Sequence, residues 1–275
     1  MNFIELSHPH ALAALGYIAA TVMGITLGLL GGGGAILTVP ILVYLFGHVA
    51  TRATQESLLI VGLVSGIGTL PYIKRGLVEF KTGLTFALPA LAGVAIARRV
   101  ILPQIPAEFA LSGGLSVSKD TLLMGAFAVV MMLAARAMLF GRAIKATAER
   151  APPLQVGAQG FGVGAITGFL GAGGGFLIVP ALVGLLKLPM DRAVGTSLLI
   201  ITLNSLFGFT MSLGQSSIPS ESWPFLAGFT LLAALGILLG SRLNQKVPAP
   251  VLKKAFGWFI LGMGSLILLT EILRR

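Results

Sequence analysis

The sequence predicts an all-α polytopic membrane protein built from two inverted-topology repeats, and three observations support this prediction. Hydrophobic residues form 56% of the 275-residue chain and charged residues only 10%, whereas soluble domains carry about 25% charged residues. Apolar runs long enough to cross a hydrocarbon core of about 30 Å recur along the whole chain. The second half of the chain also repeats the first. A soluble helical protein is excluded because these apolar helices lack polar faces.

The repeat becomes visible when the sequence is shifted by 140 residues. Residues 28–68 then align with residues 168–208 without a gap, and 20 of the 41 aligned positions are identical. The alignment pairs "GLLGGGG" with "GFLGAGG" and Pro40 with Pro180. Because the period is about half the chain, we assign 1–150 to a first membrane repeat and 151–275 to a second.

Each half contains five apolar segments. In the first half they lie at 11–30, 34–47, 53–73, 81–102 and 120–141, and in the second at 155–171, 174–187, 193–213, 222–243 and 250–272. The second segment of each half is too short to cross comfortably, because a helix of that length spans only about 21 Å. We therefore predict that each half is a Gly-tipped helical hairpin followed by three transmembrane helices. The chain then has 8–10 membrane segments, depending on whether the hairpins cross fully.

Loop charges favour the inverted arrangement of the two halves. If each hairpin returns to the side from which it enters, each half crosses an odd number of times and both termini lie outside. The cytoplasmic loops then hold 13 of the 19 basic residues. If the first two segments instead form a single crossing, the repeats are parallel and the cytoplasmic count falls to 9, against 10 outside. The positive-inside rule prefers the inverted arrangement.

Both Gly-rich tips are predicted to bind an anion. A helix break at membrane depth leaves backbone N–H groups that protein, water or ligand must satisfy. The N–H groups that begin the next helix carry partial positive charge and form a ready anion site. Interrupted helices in inverted repeats are typical of secondary transporters, whose substrates bind near mid-membrane. The predicted tip residues are Gly31, Gly32, Gly33 and Gly34 in the first repeat and Gly171, Gly173, Gly174 and Gly175 in the second.

A second interpretation is that the glycines serve only close helix packing. For the clustered tips we favour function, because packing needs one small face rather than several glycines in succession. Packing is the expected role of the small residues that recur every four positions before each tip. These residues are Ala20, Gly24, Gly28, Gly160, Gly164 and Gly168.

Polar residues near the start of the third and eighth segments, and Asn204 deeper in the eighth, are further candidates for substrate contact. Polar side chains within transmembrane helices usually face the bundle interior. The alternative is hydrogen bonding between helices, which contributes about 0.6 kcal/mol on average. The candidates are Gln55, Ser57, Thr196, Ser197 and Asn204.

Glu56 stands apart because it is a carboxyl one turn inside an apolar helix. Such a group is either neutral or paired. Arg52, four residues earlier on the same helical face, is the plain partner. Three interpretations stay open for Glu56: a structural ion pair, a proton-coupling or gating role shared with Arg52, and an exposed interfacial position. Arg192, the equivalent of Arg52, is predicted to cap its helix, screen Asp191 or attract substrate.

Enzymatic chemistry has little support in this sequence. The chain has no cysteine and neither a G-x-S-x-G nor an H-E-x-x-H motif. His8, His10 and His48 do not form a ligand cluster with carboxylates, so we predict a non-enzyme without metal or cofactor. The net charge of +10 does not indicate nucleic acid, because basic cytoplasmic loops give the same value. The predicted partners are a small anion and the lipid bilayer, and homo-oligomerisation is left open.

The two glycine-rich stretches resemble the paired motifs of the TauE/SafE family of sulfite exporters and related permeases. The resemblance covers both halves, and "GFLGAGGGFLIVPALVGLLKLPMDRAVGTSLLI" is the more similar copy. It implies a multi-pass protein of the bacterial cytoplasmic (inner) membrane. It also implies a permease or exporter of a small anion such as sulfite or an organosulfonate. The first copy departs from the family pattern, because Gln55 and Glu56 replace the Gly-Thr of "GTS".

Two other functions remain as alternatives to a secondary transporter. An anion channel uses the same broken helices but conducts without alternating access. A membrane-embedded assembly factor is the third interpretation. A counterflow assay separates carrier from channel, since only a carrier shows exchange acceleration.

The charge distribution predicts which loops face the cytoplasm. We expect loops 142–150 and 244–252 inside and loop 214–221 outside, because this assignment places most basic residues inside. The chain has no cysteine, so single cysteines placed in each loop can be labelled with an impermeant maleimide. Labelling of loop 142–150 from outside the cell would contradict the inverted arrangement.

Overall fold

The structure is a computed structural model that describes residues 9–111, 115–140, 152–171, 173–184, 186–213, 218–244 and 249–273. Several sequence predictions fall outside these residues. They concern His8, the 150/151 repeat boundary, loop 142–150 and parts of loops 214–221 and 244–252.

The first half follows the predicted order of apolar segments. Its helices are α1 (Pro9–Leu30), α2 (Thr38–Tyr44), α3 (Ala50–Lys74), α4 (Phe80–Ile96), α5 (Leu102–Gln104) and α6 (Lys119–Phe140). A 3₁₀ turn, Gly33–Leu37, leads into α2. A π-helical turn, Ala97–Ile101, joins α4 to α5 in one continuous helical segment. The short α2 is the returning arm of the predicted hairpin.

The second half repeats this order. Its helices are α7 (Pro153–Leu170), α8 (Gly175–Gly184), α9 (Met190–Ser212), α10 (Trp223–Leu243) and α11 (Ala249–Leu273). A 3₁₀ turn, Ser220–Ser222, precedes α10. Each predicted apolar segment therefore corresponds to a helix, with ends that differ by a few residues.

A small β-hairpin is the one regular element among the described residues that is not helical. Strand β1 (Glu108–Leu111) pairs antiparallel with β2 (Leu115–Ser118), with Glu108 opposite Ser118. The all-helical prediction misses this hairpin, which lies between the fourth and fifth apolar segments. The segments that are apolar enough to cross the membrane are nevertheless helical.

The length and composition of the helices confirm an all-α polytopic membrane protein. Within the described residues, five helical stretches are long and apolar enough to cross a membrane. They are Ala50–Lys74, Phe80–Gln104, Lys119–Phe140, Met190–Ser212 and Ser220–Leu243. The shorter apolar helices include the returning arms of both hairpins.

Helices α3 and α9 cross at the centre of the bundle in opposite directions. Gly62 lies beside Leu206, and Gly68, further along α3, lies beside Leu198, which is earlier in α9. The 140-residue shift makes α3 and α9 equivalent. Equivalent helices of parallel repeats would run in the same direction, so the antiparallel crossing is the relation that inverted repeats require.

Small residues bring each hairpin against the other half of the chain. Gly28 in α1 meets the backbone of Ile237 and Gly240 in α10, and Gly164 in α7 meets the backbone of Ala90 in α4. The two contacts correspond to each other in the repeat. Helix α7 is the equivalent of α1, and α10 is the equivalent of α4, so the α1–α10 contact has the α7–α4 contact as its counterpart. The predicted packing role is confirmed for the five glycines Gly24, Gly28, Gly160, Gly164 and Gly168.

The long arm of the first hairpin extends to the far end of its partner helix. The side-chain amide Nδ2 of Asn244, directly after α10, donates to the carbonyl of Leu29 in the last turn of α1. Because α1 runs parallel to α10, it reaches almost as deep as that spanning helix. The 3₁₀ turn and α2 then return only part of the way, so the first hairpin is asymmetric.

Two glycines in α7 provide a matched test of this packing. A β-carbon on Gly164 would lie 2.0 Å from the carbonyl oxygen of Ala90, whereas one on Gly162 would meet nothing within 4 Å. We expect Gly164→Ala to destabilise the protein, because overpacking typically costs about 1–3 kcal/mol. Gly162→Ala should be neutral or stabilising, since alanine is the better helix former by about 1 kcal/mol.

Thermal unfolding of the two purified variants in detergent measures this difference. Gly164→Ala should lower the Tm relative to the parent and to Gly162→Ala. Equal Tm values for the two variants would show that α4 and α7 do not approach as closely as the structure has them.

Candidate functional site: two glycine tips at the centre of the bundle

The first glycine tip forms where α1 ends. Gly31 and Gly32 have φ angles of 64° and 127°, a region that favours glycine because a β-carbon would clash with the backbone. The chain therefore leaves the helix and re-enters helical structure in the 3₁₀ turn. The first backbone bond of that turn runs from the N–H of Ala35 to the carbonyl of Gly32. The N–H groups of Gly33 and Gly34 precede this bond.

The second tip repeats this construction with one difference. Gly171 ends α7 in the left-handed conformation, with its N–H donating to the carbonyl of Thr167. Gly173 and Gly174 also have positive φ angles, and an α-helix, α8, begins at Gly175. The first backbone bonds of α8 run from Leu177 and Ile178 to Gly174. The second tip thus places a regular helix N-terminus where the first has a 3₁₀ turn.

The two tips meet near the middle of the crossing helices. A β-carbon on Gly32 would lie 2.4 Å from the Cα of Gly175, and both glycines lie beside Ile201. Gly173 lies beside Val61. Val61 and Ile201 occupy the middle of α3 and α9, so this tip junction, which we define as Gly32, Gly173 and Gly175, lies beside the middle of both helices. At Gly32 and Gly175 the backbones are so close that a methyl group would not fit between them.

Two serines hold the tips by hydrogen bonds that cross between the repeats. The hydroxyl of Ser57 in α3 donates to the carbonyl of Gly171, at 2.7 Å. The hydroxyl of Ser197 in α9 donates to the carbonyl of Gly31. Each serine thereby satisfies a carbonyl that a helix break in the other repeat has freed.

These serine contacts lie on opposite sides of the tip junction. Ser57 lies in the second turn of α3 and Ser197 in the second turn of α9. Because α3 and α9 run in opposite directions, their second turns lie toward opposite faces of the bundle. The tip junction is therefore flanked by one serine contact on each side.

Unpartnered polar side chains lie next to the tip junction. Ser65, Asn204 and Ser205 are buried, at 0%, 1% and 0% exposure, and their side-chain polar atoms have no hydrogen-bond partner among the described residues. The hydroxyl of Ser205 lies 3.1 Å from where a β-carbon on Gly173 would stand. Asn204 and Ser205 follow Ile201 by one helical turn, and Ser65 follows Val61 by one turn. These side chains therefore share the helix faces that line the junction.

Such groups are unusual and destabilising. An unsatisfied buried polar group costs about 1–3 kcal/mol, so each one in a folded protein calls for an explanation. A polar ligand at the junction would supply the missing partners.

A buried arginine approaches the second tip from α4. Arg98 lies in the π-helical turn with 1% exposure, and its guanidinium donates to the hydroxyl and the carbonyl of Thr54, at 3.4 and 3.3 Å. Thr54 in turn packs against Gly171. The sequence analysis missed Arg98. The signal was a pair of arginines inside the fourth apolar segment, in the stretch "AIARRVILP".

Glu56 belongs to a polar cluster where α3 begins. Its carboxylate lies 2.6 Å from Nε of Arg52 and 2.5 Å from Nδ1 of His48, and Glu56 is fully buried. Arg52 also donates to the hydroxyl of Ser222, at the end of the 3₁₀ turn before α10. The predicted Arg52–Glu56 pair is therefore present, and the interpretation of Glu56 as an exposed interfacial residue is wrong. The contact between His48 and Glu56 was not predicted from the sequence.

Comparison with known proteins identifies the family. The profile described as "Sulfite exporter TauE/SafE" matches residues 16–267. The chain belongs to the TauE/SafE family. This family membership and the apolar helices together establish a multi-pass membrane protein of a transporter family, and no catalytic activity is indicated.

Related TauE/SafE-like proteins are similar along nearly their whole length. A probable membrane transporter protein of Xylella fastidiosa (strain Temecula1) is 28% identical, with 88% of this chain and 89% of the relative covered. The probable membrane transporter protein YunE of Bacillus subtilis (strain 168) is 29% identical, with coverages of 86% and 88%. A probable membrane transporter protein of Methanocaldococcus jannaschii is 26% identical, with coverages of 92% and 94%. No solved structure matches this chain.

The family's "GTS" position serves different contacts in the two repeats. In the second copy, the hydroxyl of Thr196 accepts the backbone N–H of Glu79, in the loop before α4, at 3.0 Å. In the first copy, Glu56 takes the place of Thr196 and binds Arg52 and His48. Position for position, the two repeats therefore share the serine contact but differ in the residue before it.

Several residues predicted for the anion site lie away from the tip junction. Gly34 packs against the backbone of α1, and Gly174, although it lies between the junction residues Gly173 and Gly175, faces Thr167 in α7. Arg192 lies at the surface and pairs with Glu79. Gln55 is buried in α3, at 2% exposure. Asn204 is the predicted polar side chain that lies on the junction-lining face without a partner in the described structure.

The crossed serine contacts give a testable expectation for this TauE/SafE protein. Ser57→Ala and Ser197→Ala each leave a buried carbonyl unsatisfied, which typically costs about 1–3 kcal/mol. We therefore expect each variant to lower the Tm of the purified protein. Thr210→Val is the control, because the Thr210 hydroxyl is exposed and bonds only within its own helix, to Phe207. If the Tm values of the serine variants equal that of Thr210→Val, the two serine hydrogen bonds do not stabilise the tips.

Proposed function

We propose that the protein is a secondary transporter that carries a small anion across a bacterial cytoplasmic membrane. The proposed substrate is a sulfur-containing anion such as sulfite or an organosulfonate, bound at the tip junction. One observation carries the proposal: Asn204, Ser205 and Ser65 are buried beside the junction, and their side chains have no hydrogen-bond partner in the part of the chain that the structure describes. Their unmet hydrogen bonds are costly to the fold and are explained by a ligand that visits the site.

The charges and dipoles around the junction favour an anion over a cation. The N-terminus of α8 and the 3₁₀ turn of the first hairpin direct backbone N–H groups toward the tips, and such groups attract negative charge. The amide of Asn204 and the two serine hydroxyls can all donate hydrogen bonds. Arg98 adds a buried cation near the second tip. Glu56, on the same helix as Ser57, is already paired with Arg52.

The geometry supports a carrier more strongly than a channel. Gly32 and Gly175 are in backbone contact, so an ion cannot pass between them without movement of the tips. The serine contacts on opposite sides of the junction provide two separate points at which a tip can be released. A carrier opens one side while the other stays closed, whereas a channel needs both open at once.

Asn204→Leu tests this proposal sharply, because its effects on stability and on transport should be opposite. Replacing an unsatisfied buried amide by an apolar group of similar size is neutral or stabilising. Loss of one hydrogen bond to a charged ligand should weaken binding by about ten- to a hundredfold. We therefore expect Asn204→Leu to keep or raise the Tm while its transport falls.

The measurement is counterflow in proteoliposomes with sulfite, methanesulfonate and acetate as probes. The parent should exchange at least one of the two sulfur anions with acceleration by the same anion on the other side. Thr210→Val serves again as the control on the same helix. Uptake without exchange acceleration would favour a channel, and full transport by a well-folded Asn204→Leu protein would move the site away from the junction.

A further inference from the structure

The polar cluster at the start of α3 contains a titratable pair to which the proposed anion site gives no role. Nδ1 of His48 lies 2.5 Å from Oε2 of Glu56, and Nε of Arg52 lies 2.6 Å from Oε1. The Glu56 side chain is fully buried, whereas those of His48 and Arg52 keep 16% and 30% of their surface exposed. A buried carboxylate is thus connected to the surface through a histidine.

This arrangement can take up and release a proton. The short contact between Nδ1 and the carboxylate needs one hydrogen between the two atoms. The other ring nitrogen of His48 is then the position at which a further proton is added. Histidine is the side chain whose charge ordinarily changes between pH 5 and 8. A protonated His48 would lie between Glu56 and the surface as part of an alternating His⁺–Glu⁻–Arg⁺ set.

The surrounding elements contribute few other charges. From α6, Asp120 accepts hydrogen bonds from the backbone N–H and the hydroxyl of Thr51, at 2.8 and 2.6 Å. From the π-helical turn, Arg98 reaches Thr54. From the side of α10, the neutral residues Ser222 and Phe225 contact Arg52 and His48. Among the described residues, the charged groups that these contacts place around Glu56 are His48, Arg52, Asp120 and Arg98.

The cluster is mechanically connected to the second tip. Glu56 directly precedes Ser57, whose hydroxyl holds the carbonyl of Gly171. The ring of Phe225 in α10 lies 5.1 Å from the ring of His48. A change of charge at His48 therefore acts on the segment after the first hairpin, on the start of α3 and on the start of α10 together. These are the elements that surround one of the two serine contacts.

The two repeats differ at this cluster. The 140-residue shift replaces Glu56 by Thr196 and His48 by Leu188, while Arg52 is retained as Arg192. Arg192 is paired with Glu79 near the opposite end of the bundle. Of the two equivalent positions, only the first repeat therefore carries the histidine–carboxylate pair, and the chain has one such site rather than two.

We propose that the His48–Glu56 pair is a proton-binding site that couples proton movement to anion transport. The inference rests on the proposed transport function and names its coupling ion. The step is the transfer of a proton from a hydronium ion on one side of the membrane to the free ring nitrogen of His48 and, after the conformational change, its release to water on the other side, with no bond change in the anion. A proton bound on the same protein as the anion offsets the anion's negative charge during the conformational change.

Proton binding is tested first, without any transported anion. Purified parent protein and His48→Gln are moved from pH 8 to pH 5 in unbuffered solution, and the protons taken up are measured. The parent should take up about one proton more than His48→Gln, as expected for one titrating imidazole. His48→Gln leaves the Arg52–Glu56 pair in place, so this variant should fold. Equal uptake by the two proteins would overturn the proposal.

Coupling is then tested in proteoliposomes with methanesulfonate or sulfite, whichever supports counterflow. If one proton accompanies each anion, a pH difference of one unit supports about tenfold accumulation. We expect Glu56→Gln and His48→Gln to keep counterflow but to lose this pH-driven accumulation. Glu221→Gln is the matched control, because Glu221 is an exposed carboxylate next to Ser222.

The outcomes separate the two proposals. Counterflow without pH-driven accumulation in the parent, or accumulation that persists in both cluster variants, would overturn the coupling and leave the transport function standing. Absence of counterflow in the parent would contradict the transport function. It would also overturn the proposed coupling, even if the uptake measurement showed that His48 binds a proton. Tm values for all variants confirm that each protein is folded.

Discussion

The structure depends on one constraint: a helix broken at membrane depth must have its freed backbone groups satisfied by the rest of the protein. Each repeat breaks its first hairpin at a glycine tip, and each tip carbonyl is held by a serine of the other repeat, Ser57 for Gly171 and Ser197 for Gly31. Neither half can complete its own break. This mutual dependence explains why α3 and α9 must cross at the centre and why each hairpin packs so closely on the opposite half.

Much of the fold could be predicted from the sequence, because two strong local signals were present. The apolar segments follow from hydropathy, and the glycine clusters mark where those segments are interrupted. The 140-residue repeat supported both assignments, because the same apolar segments and the same glycine interruptions recur in the second half. The buried Arg98 was missed although the arginine pair inside the fourth apolar segment marked it. No local sequence signal was found for the π-helical turn itself or for the β-hairpin. The His48–Glu56 contact was missed because it depends on how the chain turns between α2 and α3.

The candidate site was predicted less completely, and the reason is physical. Ser57 and Ser197 were predicted as substrate ligands from their type and position, but in the structure their hydroxyls donate to backbone carbonyls. A sequence shows that a polar side chain can form a hydrogen bond. It does not show whether the partner in the folded protein is a ligand or a backbone group. Asn204, predicted on the same grounds, lies on the junction-lining face with no hydrogen-bond partner within the described ranges. Residues identical between the repeats, such as the serines, carry the shared architecture. Residues that differ, such as Glu56 and Thr196, carry the chemical asymmetry.

The positions that are identical in the two repeats and those that differ have separate roles in transport. The difference matters because a protein built from two similar repeats must still move its substrate in one direction. Two identical serine contacts at opposite depths would be released with equal ease, which provides alternation but no preference for either side. Direction must come from groups present in one repeat alone. Arg98, in the π-helical turn after α4, has Ser241 in α10 as its equivalent, because Ala90 and Ala233 make equivalent contacts with Gly164 and Gly24, and the His48–Glu56 pair has Leu188 and Thr196. Both asymmetric sets lie beside the Ser57–Gly171 contact. A charge change there biases one contact and leaves the other unchanged, and that bias is what a coupled transporter needs.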